Sequence, residues 1–170
     1  SIPISEVTQN AKILQITSTS TNEKVTVDGG KRKDYVFRAC FIDPFQGQVM
    51  AKFAMNDLKF KTAAVMYDNA NDYSKGLAQV FKDSFEKGGG KILNFESYST
   101  ADVDFSASLT KIASGKPEFL FLPDYYNQLT LIATQAREKG LTAILCGHTR
   151  RASSAPDHHT LRVQYSLNPA

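Results

Sequence analysis

Tryptophan is absent from this chain of 170 residues, cysteine occurs twice and histidine three times. Cys40 and Cys146 share no spacing motif, so neither a metal site nor a disulfide framework is predicted. Each sits in an apolar run, Phe37 to Ile42 and Ala143 to Cys146, and reads as a buried thiol, because cysteine packs as a small hydrophobe. All three histidines (His148, His158 and His159) fall after Gly147. Adjacent histidines rarely converge on one ion, and no acid spacing supports them as a metal set. No G-x-S-x-G elbow pairs a serine with a histidine, and neither G-x-G-x-x-G nor a P-loop occurs. Gly88-Gly89-Gly90 is a helix stop, not a phosphate cradle. These absences argue against an enzyme: no catalytic residue, no cofactor and no metal site is predicted. No stretch approaches the roughly 18 consecutive apolar residues of a spanning helix, and Ser1 to Asn10 lacks the basic start and apolar run of a signal peptide.

An excess of one charge is also missing from most of the chain. The formal net charge is +3, and three of the 20 Lys and Arg lie past Gly147, where one acid accompanies them. Up to Gly147 the balance is nearly neutral, so no basic working face for nucleic acid is predicted. The run Lys31-Arg32-Lys33, followed by Asp34, reads as a solvated turn.

What is present is an ordinary globular composition, with 42% apolar and 22% charged residues. The length suits one domain with a core, or one domain plus part of another. Short apolar runs alternate with helical patterns. Ala63 to Tyr67 is a continuous apolar strand ending at Asp68, and Asn69 to Asp72 follows as a turn and cap cluster. Tyr73, Leu77, Val80, Phe81 and Phe85 then recur at helical spacing. Ile92 to Tyr98 is the next strand, and Asp102 is predicted to cap a helix with Phe105, Leu109, Ile112 and Ala113 on its inner face. Phe119 to Leu122 is a fully apolar strand. Leu129, Ile132, Ala133 and Ala136 mark another helix, stopped by Gly140, and Ala143 to Cys146 begins one more strand. Ahead of these, Val49, Met50, Phe53, Ala54 and Leu58 mark a helix from about Gln46 to Lys59.

Unbroken apolar strands alternating with helices predict an α/β fold, a doubly wound, mostly parallel sheet covered on both faces. Such folds place ligands beyond the carboxyl ends of the strands. Residues 1–34 stand outside the cycle and read as the end of a first lobe: a short helix around Val7 and Ala11, a strand Ile13 to Ile16, then the hydroxyl run Thr17 to Thr21 and Asn22. Residues 35–147 form the second α/β lobe. Residues 148–170 hold every histidine and no lysine and show no period, which suggests a disordered end, a cloning artefact or a shifted reading frame.

From Ala11 to about Gly147 the chain resembles the type I periplasmic solute-binding proteins of ABC transporters, within them the leucine and branched-chain amino acid receptors. The resemblance is carried by Ile16 to Thr21, by Tyr35-Val36-Phe37-Arg38 with Asp43-Pro44-Phe45-Gln46-Gly47, by Tyr73 to Ala78, and by Asp104-Phe105-Ser106 and Tyr125-Tyr126-Asn127. It implies an incomplete two-lobe protein, an internal fragment whose parent closes over ligand between its lobes. It further implies an amino acid ligand, a membrane permease as partner, no membrane span of its own, and the periplasm or outer face of the cell envelope as location.

The resemblance also assigns roles. Thr19 and Thr21 would hold the ligand backbone, although hydroxyl runs also cap and turn chains without binding. Tyr73 and Tyr125 would meet the ligand with a flat apolar body and a polar handle. The competing reading of Tyr73, as simply the first core-facing residue of its helix, carries less weight. Asp43 would support the site or cap the helix that follows it. Asp124, where the family more often has a small residue, could reach the ligand ammonium but reads first as a surface acid. After the last strand the family carries an acid for the ligand ammonium, whereas this chain reads Gly147-His148-Thr149-Arg150-Arg151. An ammonium left without that acid loses a charge-assisted hydrogen bond of about 1.5–3 kcal/mol. A response-regulator-like signalling domain, or another flavodoxin-like one with Asp68 as phosphoacceptor, is the alternative. It requires a lysine after a late strand, which Pro123-Asp124 and Gly147-His148 do not supply.

Overall fold

Side chains alternate across a strand, so an apolar run of consecutive residues must be covered on both faces. The strand Thr62–Asp68 shows this directly: Ala63, Ala64, Val65 and Met66 are all fully buried. Ala64 and Met66 join one core with Leu120, Leu122 and Leu145, and Ala63 and Val65 join a second with Phe119, Phe121 and Cys146. The sheet therefore has a core on each side, as the apolar strands predict.

The computed structural model describes residues 1–147. The predicted tail, with His148, His158, His159 and the two arginines after Thr149, lies outside the described residues. The elements run α1 (Ile2–Asn10), β1 (Gln15–Thr17), β2 (Val27–Asp28), β3 (Lys31–Arg32), β4 (Val36–Arg38), α2 (Asp43–Lys52), β5 (Thr62–Asp68), α3 (Asp72–Lys87), β6 (Lys91–Tyr98), α4 (Ser106–Gly115), β7 (Phe119–Leu122), α5 (Tyr126–Glu138) and β8 (Ile144–Gly147). A 3-10 turn covers Glu23–Val25, and a π-helical turn, Phe53–Asp57, follows α2. The chain divides into two compact units, Ser1–Gln46 and Gly47 onward.

In the second unit four strands lie in the order β6-β5-β7-β8, and every pairing is parallel. Residues of α2, the π-helical turn after it and α3 (Met50, Ala51, Ala54, Leu77, Phe81 and Phe85) fill one core, and those of α4 and α5 (Leu109, Ile112, Ile132 and Ala136) fill the other. Phe81 stacks on Phe121 with ring centroids 4.3 Å apart and on Phe85 at 5.5 Å. Such pairs contribute about 0.5–1.5 kcal/mol each beyond the area they bury.

The helix ends follow local chemistry. Asn71 caps α3, its side chain accepting from the Tyr73 N–H at 3.0 Å, so the predicted cap cluster resolves to one residue. Asp102 does not cap α4, which begins four residues later. Its carboxylate closes the preceding turn by accepting from the Ser99 N–H at 2.8 Å, while Asp104 accepts from the Ser106 N–H at 2.9 Å. The helix predicted from Gln46 starts at Asp43 instead, because Pro44 suits a first turn: its φ is preset and its missing N–H has no partner there anyway.

In the first unit β1 pairs parallel to β4, with Ile16 opposite Phe37. β2 and β3 form a hairpin across Gly29 and Gly30, whose φ values of +52° and +80° suit the two-residue turn that needs both positive. The prediction of a solvated basic turn fails at Lys33, which is 5% exposed and donates from Nζ to Ser5 Oγ at 2.8 Å and to the Lys24 carbonyl at 3.3 Å. Cys146 is buried as predicted, whereas Cys40 is only half-buried.

Candidate ligand-binding site

The strand order reverses at β5: the chain leaves it for β6 on one side and later returns to β7 on the other. The crevice beyond the carboxyl ends of β5 and β7 is thus the switch point at which doubly wound sheets bind ligands. Two connections border it, residues 69–71 after β5 and 123–125 after β7.

Each delivers a tyrosine. Tyr73 lies in the first turn of α3, fixed there by the Asn71 cap. Tyr125 occupies the cap position of α5. Their rings stack with centroids 5.7 Å apart and planes 27° from parallel. Tyr73 is half-buried, and Tyr125 is 44% exposed. The pair forms an aromatic wall with apolar faces and phenolic edges, able to take an apolar side chain and to hydrogen-bond a polar group beside it.

Behind this wall lies a polar network that the sequence reading misses. Asp68, Tyr98 and Asp124 stand at or just beyond the carboxyl ends of β5, β6 and β7, and all three are buried. The Asp68 carboxylate accepts from the Ala70 N–H at 2.8 Å and from the Thr100 hydroxyl. The Ser74 hydroxyl accepts from the Asp68 N–H at 2.9 Å. The Tyr98 hydroxyl donates to Asp124, whose other oxygen accepts from the Tyr125 N–H at 2.6 Å. Gln128 donates to the Thr100 carbonyl at 2.8 Å. The segments that follow β5, β6 and β7 are thus tied to one another.

Asp124 is therefore not the surface acid expected: it is 2% exposed. Burial pushes its carboxyl above the ordinary aspartate range; its bonds from Tyr98 and Tyr125 oppose that, and nearby Asp68 adds to it. Burial likewise raises the Tyr98 phenol, and its bond to Asp124 adds to the shift. The sequence does hold one signal for this network, a polar residue at each of three strand ends. Asp68, the group a phospho-signalling reading would use, is 1% exposed, with its carboxylate engaged by Ala70 and Thr100.

Thr19, Thr21 and Asp43 belong to the first unit. The hydroxyl run is a folded loop: Thr17 Oγ1 lies 2.8 Å from Ser20 Oγ and accepts from the Ser20 N–H at 3.1 Å. Thr19 is exposed and Thr21 is 5% exposed. The Thr21 carbonyl accepts from the Asp43 N–H at 3.1 Å and from the Arg38 guanidinium at 2.6 Å, which also donates to the Asn22 carbonyl at 2.8 Å. Arg38 thereby clamps the end of the loop. The structure brings Tyr73 and Tyr125 into contact in one unit and sets Thr21 beside Asp43 in the other.

A family model described as periplasmic binding protein matches residues 2–161. The chain is similar to Leu/Ile/Val-binding protein homolog 3 of Brucella melitensis biotype 1, at 34% identity over 86% of this chain and 39% of that protein. It is similar to the leucine-, isoleucine-, valine-, threonine-, and alanine-binding protein of Pseudomonas aeruginosa, at 31% identity over 85% of this chain and 38% of that one. Among solved structures, the leucine binding protein LivK of Thermotoga maritima superposes with a TM-score of 0.77 at 37% identity, over 85% of this chain and 40% of that chain. LivJ of Streptococcus pneumoniae, in complex with isoleucine, superposes with a TM-score of 0.76 at 31% identity, over 86% of this chain and 40% of that chain. The chain thus spans about two fifths of the length of these relatives.

Proposed function

This chain belongs to the periplasmic binding protein family, and from that premise we propose that it is part of a receptor that binds a branched-chain or related amino acid for an ABC uptake system. In this reading the receptor works in the periplasm or at the outer face of the cell envelope, with a membrane permease as its partner. Relatives named for leucine, isoleucine and valine binding support the ligand class.

The observation that carries the reading is the stack of Tyr73 on half-exposed Tyr125 at the switch point of the sheet. An amino acid is a zwitterion with a side chain, so it asks for an apolar wall and for hydrogen-bond donors to its carboxylate. Tyr73 and Tyr125 supply the wall for an aliphatic side chain. Thr19 and Thr21 are the proposed donors to its carboxylate, on a loop that Arg38 holds in shape. Asp43 is the proposed support of that loop, through its N–H bond to Thr21.

Calorimetric titration of the 170-residue chain with leucine, isoleucine and valine tests this. Binding is expected to be about tenfold to a hundredfold weaker than in a relative that carries the acid after the last strand. Tyr125→Ala is expected to weaken it by a further 1–3 kcal/mol or so, the range of a truncated aromatic anchor. No heat with any aliphatic amino acid, or a Tyr125→Ala variant that binds as well as wild type, would refute the proposal.

A further inference from the structure

A carboxylate 2% exposed next in the chain to a half-exposed tyrosine is an expensive choice, since burying an ionisable group is unfavourable unless its bonds are made. Asp124 makes two, and they point in different directions. One oxygen accepts from the Tyr98 hydroxyl, the other from the backbone N–H of Tyr125 at 2.6 Å. This is not helix capping. A cap accepts from the second or third N–H of a helix, and α5 has no side-chain cap bond at its N-terminus. The bond instead fixes the peptide plane that sets the direction of the Tyr125 side chain. The anchor behind it is rigid: Tyr98 is 4% exposed and packs edge-on against Phe105, centroids 5.1 Å apart at 77°.

We infer that Asp124 is a positioning residue, gripping the Tyr98 hydroxyl with one oxygen and the Tyr125 N–H with the other so that the Tyr125 ring is held in its stack on Tyr73. The inference deepens the proposed function and rests on it only for the consequence in ligand affinity; the ring contact is a property of the chain alone. Three groups face the Asp124 carboxyl: Asp68 from the end of β5, Tyr98 from β6 and Tyr125 from the start of α5. Burial, aided by Asp68, holds that carboxyl above the ordinary aspartate range, against the opposing bonds from Tyr98 and Tyr125.

The test is nuclear magnetic resonance on the 170-residue chain with labelled tyrosine and aspartate. On acidification the Tyr125 amide proton should move upfield and the Tyr73 ring signals should shift with it. Their midpoint should match that of the Asp124 carboxyl carbon and lie above ordinary aspartates. In Asp124→Asn, which has one acceptor oxygen for two donors, the ring-to-ring Overhauser effect between Tyr73 and Tyr125 should weaken severalfold. Leucine affinity should fall by about tenfold, or 1.4 kcal/mol. Tyr73 signals that stay flat while Asp124 titrates, or an undiminished ring contact in Asp124→Asn, would overturn the inference. Should Asp124→Asn fail to fold, the wild-type titration decides alone. Should wild type bind no amino acid, the proposed function falls, and the ring contact still decides this one.

Discussion

Glu118 shows how much one exposed side chain can do when its bonds are to backbone. A single oxygen accepts from the Lys61 N–H at 2.8 Å, the Thr62 N–H at 2.9 Å and the Thr62 hydroxyl at 3.0 Å, holding the start of β5 beside the approach to β7. The Lys61 N–H, then that of Thr62, holds the carboxyl below its usual range. A depressed folded value means stability that is fully present above the unfolded value and is lost as pH falls through the folded one. Glu118→Gln should therefore cost about 0.5–1 kcal/mol at pH 7, a small figure because the site is solvated and screened. That cost should vanish as wild type is acidified below the ordinary glutamate range. Urea denaturation of both proteins from pH 7 to pH 3 checks it, and a cost independent of pH would refute it. Asp124 has the opposite sign. Its raised value makes stability fall as pH rises between the unfolded and folded values. Neither behaviour is legible in the sequence, where both are single acids flanking an apolar strand. Which one is buried depends on a tyrosine 26 residues away.

At the scale of elements the sequence is far more transparent, and the reason is period. Strands buried on both faces must be apolar without interruption, so β5 and β7 stand out from their residues alone. Ends are less legible, because a cap is chosen among several polar neighbours by geometry that appears only on folding. Asn71 and Asp102 illustrate the two outcomes, one capping a helix and one closing a turn. Close helix approach is equally hidden. Gly47 sits in the interior of α2, where glycine is unfavourable by about 0.5–1 kcal/mol relative to alanine. A Cβ there would meet Val80 Cγ1 at 2.9 Å and the Phe81 backbone nitrogen at 3.1 Å, in α3. The Val80 methyl can turn aside; the backbone nitrogen cannot. Gly47→Ala should thus destabilise the second unit by about 1–2 kcal/mol despite its better helix propensity, as overpacking does. Thermal unfolding measures it, and a rise in midpoint would show that α2 and α3 have room to separate.

Over the whole molecule the two units are built from unequal material. The second unit places its apolar residues in two cores on either side of a four-stranded sheet. In the first, Val25 and Val36 are the buried apolar side chains among the described residues, and Ser5, Thr21, Lys33, Asp43 and Gln46 are buried beside them. Its larger apolar side chains face outward: Ile4, Val7, Ile13, Leu14 and Ile16 are between 59% and 67% exposed. A two-stranded sheet with so small a core is marginal in water, since below roughly 70–80 residues one core rarely supplies more than 3–5 kcal/mol. Relatives more than twice this length have further chain with which to cover such a face. Amide hydrogen exchange on the 170-residue chain should accordingly show the β1 and β4 amides opening at a free energy several kcal/mol below that of β5 and β7. The same surface should bind a hydrophobic dye, and substituting Ile4, Val7 and Leu14 by polar residues should abolish most of that binding while leaving exchange in β5 and β7 unchanged. Equal protection in the two units would mean that the first draws stability from contacts other than its own core, and the exposed isoleucines would then be the place to look for them.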